Sequence, residues 1–199
     1  MQTQLLSEAE EACVAHAMEK RKREFRSGRH AAKTALLQLG LEEDIQLLPV
    51  ANGRRPEWPA GYVGSITHTA GFCAAAAASR AHYRAIGIDV EPRTPVKPGV
   101  ISRVCTEREK AWIAQQPDDQ LKPDWGKTIF CIKETLYKVF NPIHDVFLGF
   151  QEAEVQLNPQ DGSFTANINQ RDKGIECCYR GRFSMDDRYI YASTVLAKS

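Results

Sequence analysis

The chain has 199 residues, 43% hydrophobic and 26% charged, with a formal net charge of +1 at pH 7. That is enough for one large or two small domains with a real core, and a net charge so close to zero excludes a partner selected by bulk electrostatics. No apolar run reaches membrane-spanning length, the N-terminus lacks the apolar segment of a signal peptide, and Cys13, Cys73, Cys105, Cys131, Cys177 and Cys178 form no C-x-x-C pair, which argues against a zinc ribbon or thioredoxin-like site and leaves a cytoplasmic protein with reduced thiols as the expectation.

Ser7 followed by Glu10 is a capping-box signature and starts a helix whose pattern runs on toward Gly40. Phe25, Ala32, Leu36 and Leu39 form its apolar stripe, and Arg29 falls on the same stripe, where an arginine needs a partner. The segment "PVANGRRPEWPAGY" is rich in turn residues, Asn52-Gly53 and then Pro56 and Pro59. "YVGSITHTAG" and "FCAAAAAS" read as two short strands or a strand pair, although the alanine run suits a helix equally well by propensity. A strand over Ile86 to Glu91 follows, then a proline-rich loop from Pro92 to Gly99. Thr106 with Glu109 makes a second capping box and opens a helix through about Gln115. "QQPDDQLKPDWG" reads as a loop, residues 127–140 as a strong helix stopped by Asn141-Pro142. The remainder alternates like an antiparallel sheet, with turns at Asp161-Gly162 and Asp186-Asp187. The order helix, strands, helices, strands gives the α+β class, divisible into two α/β halves near residue 85.

Four groupings carry potential chemistry. The first is "AIGIDVEP", an apolar strand ending in Asp89 and Glu91. Two residues apart, these carboxylates share one face of a strand, roughly 7 Å apart along the backbone, and repel unless a metal ion, an Arg or Lys, or water lies between them. Taken alone, D-x-E is most often a solvated strand end; Mg²⁺ is the sharper alternative. The second is the 127–140 helix, where Ile129, Ile132, Leu136, Val139 and Phe140 gather on one side while Glu134 and Lys138 are neighbours on the other. Alone, that pair is an ordinary surface Glu–Lys contact; with the first grouping it offers a third carboxylate and a lysine for phosphate. The third is "EKRKREFRSGR", Glu19 to Arg29, in which six of eleven residues are basic. It is a solvated face by default, an anion site ending at Arg29 or a nucleic-acid patch otherwise. The fourth joins "GSITH" to the upstream "GRRP", so that His68 and Arg55 are further candidate phosphate donors.

In order and spacing, G-R, G-R-R-P, S-I-T-H, I-G-I-D-V-E and a helix carrying K-E-T-L-Y-K resemble the 4′-phosphopantetheinyl transferases of the surfactin type, most of all the branch associated with enterobactin synthetase. The resemblance runs from about Lys20 to Phe140. It implies two similar α/β halves in one chain, a pseudo-dimer with residues 1–84 contacting the nucleotide and residues 85–199 holding the metal and catalytic helix, and an active site in the cleft between them. It implies an enzyme of the holo-[acyl-carrier-protein] synthase type, which transfers the phosphopantetheine arm of coenzyme A to a serine of an acyl- or peptidyl-carrier protein and releases 3′,5′-ADP. Asp89, Glu91 and Glu134 match the family's metal ligands for Mg²⁺ or Mn²⁺, with Glu134 also a base for the serine and Asp89 part of the catalytic set. Lys138 matches the lysine near the diphosphate and a proton donor to the leaving group, and Lys133 belongs to the same motif as a coenzyme A contact. His68, Arg29 and Arg55 match positions that hold phosphate and nucleotide; Arg21 and Arg23 lie where the family is often basic. Thr67 and Phe130 depart from the usual serine and tryptophan, and only about twenty residues precede the basic helix. Siderophore, polyketide or fatty-acid carriers are the expected partners, with no nucleic acid or membrane and a monomeric state. A non-catalytic coenzyme A or nucleotide binder is the first alternative and a basic-helix nucleic-acid binder the second.

Overall fold

The structure, a computed structural model, describes residues 6–41, 44–51, 53, 55–96, 98–116 and 124–198. Asn52 of the expected turn and residues 117–123 of the expected loop lie outside them. The chain divides into two compact units, one of Met1–Ile86 with Ala197–Ser199 and one of Gly87–Leu196. The secondary structure is mixed α+β, with a two-stranded and a five-stranded sheet.

In the first unit, Ser7 and Glu10 form the capping box as the sequence predicts, and helix α1 spans Glu8–Ala12. The chain then breaks and restarts as α2, Glu19–Gln38, where the sequence reading had one continuous helix. The reason is a buried ion pair. An unbroken helix would hold residues 10 and 33 roughly 35 Å apart at 1.5 Å per residue; the break lets Lys33 Nζ donate to Glu10 Oε2 at 2.7 Å, with both side chains buried. Glu10 also accepts the Ser7 and Leu47 N–H groups. On α2, Phe25, Arg29, Ala32 and Leu36 are buried, whereas Leu39, just beyond the helix, is 44% exposed. Strands β1, Tyr62–Thr69, and β2, Phe72–Ser79, form an antiparallel hairpin in register Ile66↔Ala75. Its turn carries Gly71 at φ 76, a conformation glycine adopts freely. The alanine run is therefore a strand. Ala75 and Ala77 pack against the cluster of Ala32, Leu36, Ile45 and Leu47, and small side chains admit α2 onto the sheet, so packing overrides helix propensity.

Strand β3, Tyr83–Pro92, begins in the first unit and ends in the second. The expected loop after it is present over residues 93–96, and its last two residues already open a helix, α3, Pro98–Val104; the opening proline lacks an N–H at the position where none is needed. Thr106 and Glu109 form the second capping box of α4, Glu107–Ala114. Helix α5 spans Trp125–His144, with Ile129, Ile132, Leu136, Val139 and Phe140 all buried. It passes the expected stop at Asn141-Pro142 because the proline costs one backbone bond near the end only. The last turn is secured by Phe140 against His144, ring centroids 4.4 Å apart, and by Asp145 in a left-handed cap at φ 52. Strands β4, Ala153–Asn158, β5, Ser163–Gln170, β6, Ile175–Met185, and β7, Tyr189–Ala197, complete a sheet in the order β3-β7-β6-β5-β4. The turns at Asp161-Gly162 and Asp186-Asp187 fall where the sequence predicts them.

Candidate active site

The close approach of β3 and α5 starts at a glycine. A Cβ on Gly87 would collide with the Thr135 carbonyl oxygen and with Val139, so only glycine lets the strand lie directly on the helix. Asp89 and Glu91 follow two and four residues later on β3, and Glu134 and Lys138 are the chain neighbours of Thr135 and Val139, the α5 residues that Gly87 meets. Lys138 Nζ donates to Asp89 Oδ1 at 2.8 Å and to the Ile88 carbonyl at 2.9 Å, which ties the helix to the strand. Asp89 is buried, its side chain 8% exposed. Glu91 Oε2 lies 2.6 Å from the Nζ of Lys127, on the first turn of α5.

The carboxyl of Glu134 responds to its burial and to the acids near it. Burial pushes the Glu134 carboxyl above its ordinary pKa, the charges of Asp89 and Glu91 push it further, and Lys138 pulls against them. Burial also raises the Cys131 thiol well above its usual value, and neighbouring Asp89 reinforces the shift, so this cysteine stays a neutral core residue. Three carboxylates facing two ammonium groups leave one net negative charge when Glu134 is ionised.

That donor set is the one a hard divalent cation takes: carboxylate oxygens, completed by water and phosphate oxygens. The residues therefore fit Mg²⁺ or Mn²⁺. In the arrangement seen, no three metal-binding side chains among the described residues converge into an ion-holding cluster; Asp89 and Glu91 are instead each engaged by a lysine.

Lys133 differs from the sequence expectation. Its side chain is buried, and Nζ donates to Glu109 Oε2, Val104 O and Phe150 O at 2.8 to 2.9 Å. An ammonium has three donors, and all three are taken, so Lys133 fastens α5 to its surroundings and is not available as a coenzyme A contact. Adjacent residues on a helix point about 100° apart, and this sends Lys133 inward while Glu134 faces the acids.

The basic candidates of the first unit are dispersed along its elements. Arg29 is 5% exposed, its guanidinium 4.4 Å over the Phe25 ring, and its Nε has no hydrogen-bond partner among the described residues. Burial lowers its pKa, against the pull of Glu10. His68, on the β1 face that meets α2, has Nδ1 4.0 Å from Glu24 Oε2. Arg55 is half-buried beside the Pro49–Pro56 bridge. Arg21 and Arg23 are exposed. Within the basic run, Lys20, Lys22 and Arg26 pair with Glu24, Glu19 and Glu11, the behaviour of a solvated helix face.

Lys127, the partner of Glu91, is the residue of this seam that sequence reasoning missed. The signal was present: residues 127, 134 and 138 stand at i, i+7 and i+11, one polar stripe of α5. It was overlooked because a lysine in a first helical turn ordinarily reads as solvent-facing.

Residues 9–78 match the 4′-phosphopantetheinyl transferase N-terminal domain, and residues 85–192 match the 4′-phosphopantetheinyl transferase superfamily. The chain is 39% identical over 166 residues to the 4′-phosphopantetheinyl transferase Svp of Streptomyces mobaraensis, covering 82% of this chain and 66% of the relative. It is 40% identical over 159 residues to Npt of Nocardia iowensis, covering 78% and 68%, and 33% identical over 160 residues to PptT of Mycobacterium tuberculosis, covering 79% and 68%. The chain thus spans about two thirds of the length of these relatives.

Proposed function

The chain belongs to the 4′-phosphopantetheinyl transferase superfamily, and from that premise we propose that it transfers the 4′-phosphopantetheine arm of coenzyme A to a serine hydroxyl of an acyl- or peptidyl-carrier protein. The observation that carries this reading is the seam of β3 and α5, where Gly87 lies directly on the helix, Lys138 reaches Asp89 and Lys127 reaches Glu91. Acids and lysines set along one strand–helix seam suit a diphosphate co-substrate brought with a divalent ion.

Asp89, Glu91 and Glu134 would hold Mg²⁺ or Mn²⁺, which when bound supplies charge neutralisation on the diphosphate. The serine oxygen forms a bond to the β-phosphorus as the bond from that phosphorus to the bridging oxygen breaks, and 3′,5′-ADP departs. The serine proton passes to Glu134 as general base. Lys138 places its ammonium toward the charge that develops on the leaving phosphate. Positioning and charge stabilisation carry most of the rate, since little covalent chemistry is asked of the protein. In the first unit, Arg29, Arg55 and His68 take the phosphates of the nucleotide. The buried Arg29 guanidinium, with its Nε unused, is supported in this role because phosphate is the partner such a group takes.

The finer assignment follows the motifs: a surfactin-type enzyme of the enterobactin-associated branch, with holo-[acyl-carrier-protein] synthase activity, working as a cytoplasmic monomer. Among the described residues no helix is long and apolar enough to cross a membrane. The test is incubation with coenzyme A, Mg²⁺ and several apo-carrier proteins, read by mass spectrometry. A carrier heavier by one phosphopantetheine is the expected result. Folded protein that is stabilised by coenzyme A yet modifies no carrier would leave a non-catalytic binder instead.

A further inference from the structure

The Lys127–Glu91 contact has no part in the reaction just described, yet it engages a carboxylate that the reaction needs. The pair is close, 2.6 Å, and largely shielded, with the two side chains 16% and 21% exposed. Lys127 Nζ also lies 5.2 Å from the centroid of the Phe130 ring, so its ammonium is held over an aromatic face one helical turn from its own position. Lys138 does the same for Asp89 from the other end of the stripe. Both strand carboxylates are thus directed to cations tethered on α5, and no ion-holding convergence of three groups is present among the described residues.

We propose that Lys127 is a built-in competitor of the divalent ion at Glu91, a positioning residue that holds this carboxylate in a closed arrangement and releases it when the metal enters. The inference rests on the metal-dependent transferase reading above. An ammonium and a divalent ion drawn to one carboxylate repel each other at contact distance, so the free energy that the ammonium contributes at Glu91 is subtracted from metal binding. Lys127 thereby sets how much divalent ion the protein needs to load. A partly exposed pair of this kind is worth about 1 kcal/mol at most, which converts to about five-fold in affinity.

The experiment is titration of the full chain with Mn²⁺, free ion read by electron paramagnetic resonance, on the unaltered protein and on Lys127→Met, Lys127→Arg and Asp89→Asn. Lys127→Met is expected to bind Mn²⁺ about five-fold more tightly, while Lys127→Arg, which restores a cation on Glu91, binds no more tightly than the unaltered protein. Equal or weaker binding by Lys127→Met, with normal binding by the unaltered chain, overturns this proposal and leaves the transferase reading standing. Failure of the unaltered chain to bind Mn²⁺, or undiminished binding by Asp89→Asn, overturns the metal site and this proposal with it. Lysine ¹³Cε resonances of the unaltered chain give a second reading that needs no folded Lys127→Met: the Lys127 signal, assigned by its disappearance in Lys127→Arg, moves as Mg²⁺ is added. A signal that stays fixed through saturation overturns the release.

Discussion

The two units use one buried device in the same way, atom for atom. In the first, the N-cap Ser7 and Glu10 bond reciprocally, Glu10 Oε2 takes Lys33 from the long helix α2 at 2.7 Å, and Oε1 takes the Leu47 N–H at 3.0 Å. In the second, Thr106 and Glu109 bond reciprocally, Glu109 Oε2 takes Lys133 from the long helix α5 at 2.8 Å, and Oε1 takes the Val155 N–H at 2.7 Å. Around this shared lysine the chemistry diverges. One residue on, unit one has Thr34, whose hydroxyl is spent on the His30 carbonyl, while unit two has the acid Glu134. Four residues back, unit one buries Arg29 and unit two buries Ile129. Five residues on, Gln38 stands against Lys138. A buried charge found in both units belongs to the scaffold. A charge buried in one alone calls for a functional reason, because the fold has been built without it next door.

The sharpest way to break this division is to strike the charges present in one unit only. Asp89→Ala and Glu134→Ala should each lower carrier modification by about 10³-fold or more, given that charge stabilisation at such a site is worth several kcal/mol; near-normal turnover in either variant removes that residue from the chemistry. Striking the shared device should instead cost stability, to a similar extent in both units. Lys33→Met and Lys133→Met each leave a buried carboxylate uncompensated, a loss of about 3–5 kcal/mol in urea unfolding. Pairing either with Gln in place of its glutamate, Glu10→Gln or Glu109→Gln, should return much of it. If Lys133→Met were as stable as the parent yet inactive, Lys133 would belong to the site after all. Gly87→Ala tests the seam between strand and helix: the added methyl meets backbone, and about 1–3 kcal/mol of stability should be lost together with turnover.

Two smaller effects sharpen the comparison. Because Glu134 has a folded pKa above its ordinary 4.5, its stabilising contribution is present below the unfolded value and is lost as pH rises through the folded one. Glu134→Gln, though inactive, should therefore melt higher than the parent at neutral pH, with the difference vanishing in acid; a gain that grew toward low pH would contradict the burial of this carboxyl near the other acids. At the smallest scale, replacing Arg26 in its exposed pair with Glu11 should leave the melting temperature unchanged.

Much of this was readable from local pattern. Both capping boxes, the hairpin turns and the apolar side of α5 follow from short-range rules, and the structure has them where those rules put them. Errors arose where a distant partner decides. The break after α1 exists so that Glu10 can reach Lys33, twenty-three residues on, and nothing within a helical window announces it. Pro142 was absorbed into α5 by contacts beyond the expected helix end, whereas the alanine run, open between strand and helix, is the strand of the first reading because its small side chains pack against α2. At the site, the acids Asp89, Glu91 and Glu134 were legible as a motif, whereas the inward turn of Lys133 was not. Sequence adjacency to Glu134 suggested shared duty, and the 100° between helix neighbours separated them.

Lys133 has a further consequence for Glu134. A smooth helix can spin about its axis at little cost, since one apolar contact replaces another. Three short bonds to a single buried ammonium remove that freedom and fix the azimuth of α5 as a keyway fixes a shaft. The next side chain along is then aimed by the lock and needs no support of its own. Anyone grafting the acidic trio onto another scaffold would have to carry Glu109 and Lys133 with it, or find the transplanted carboxylate present in sequence and pointing elsewhere.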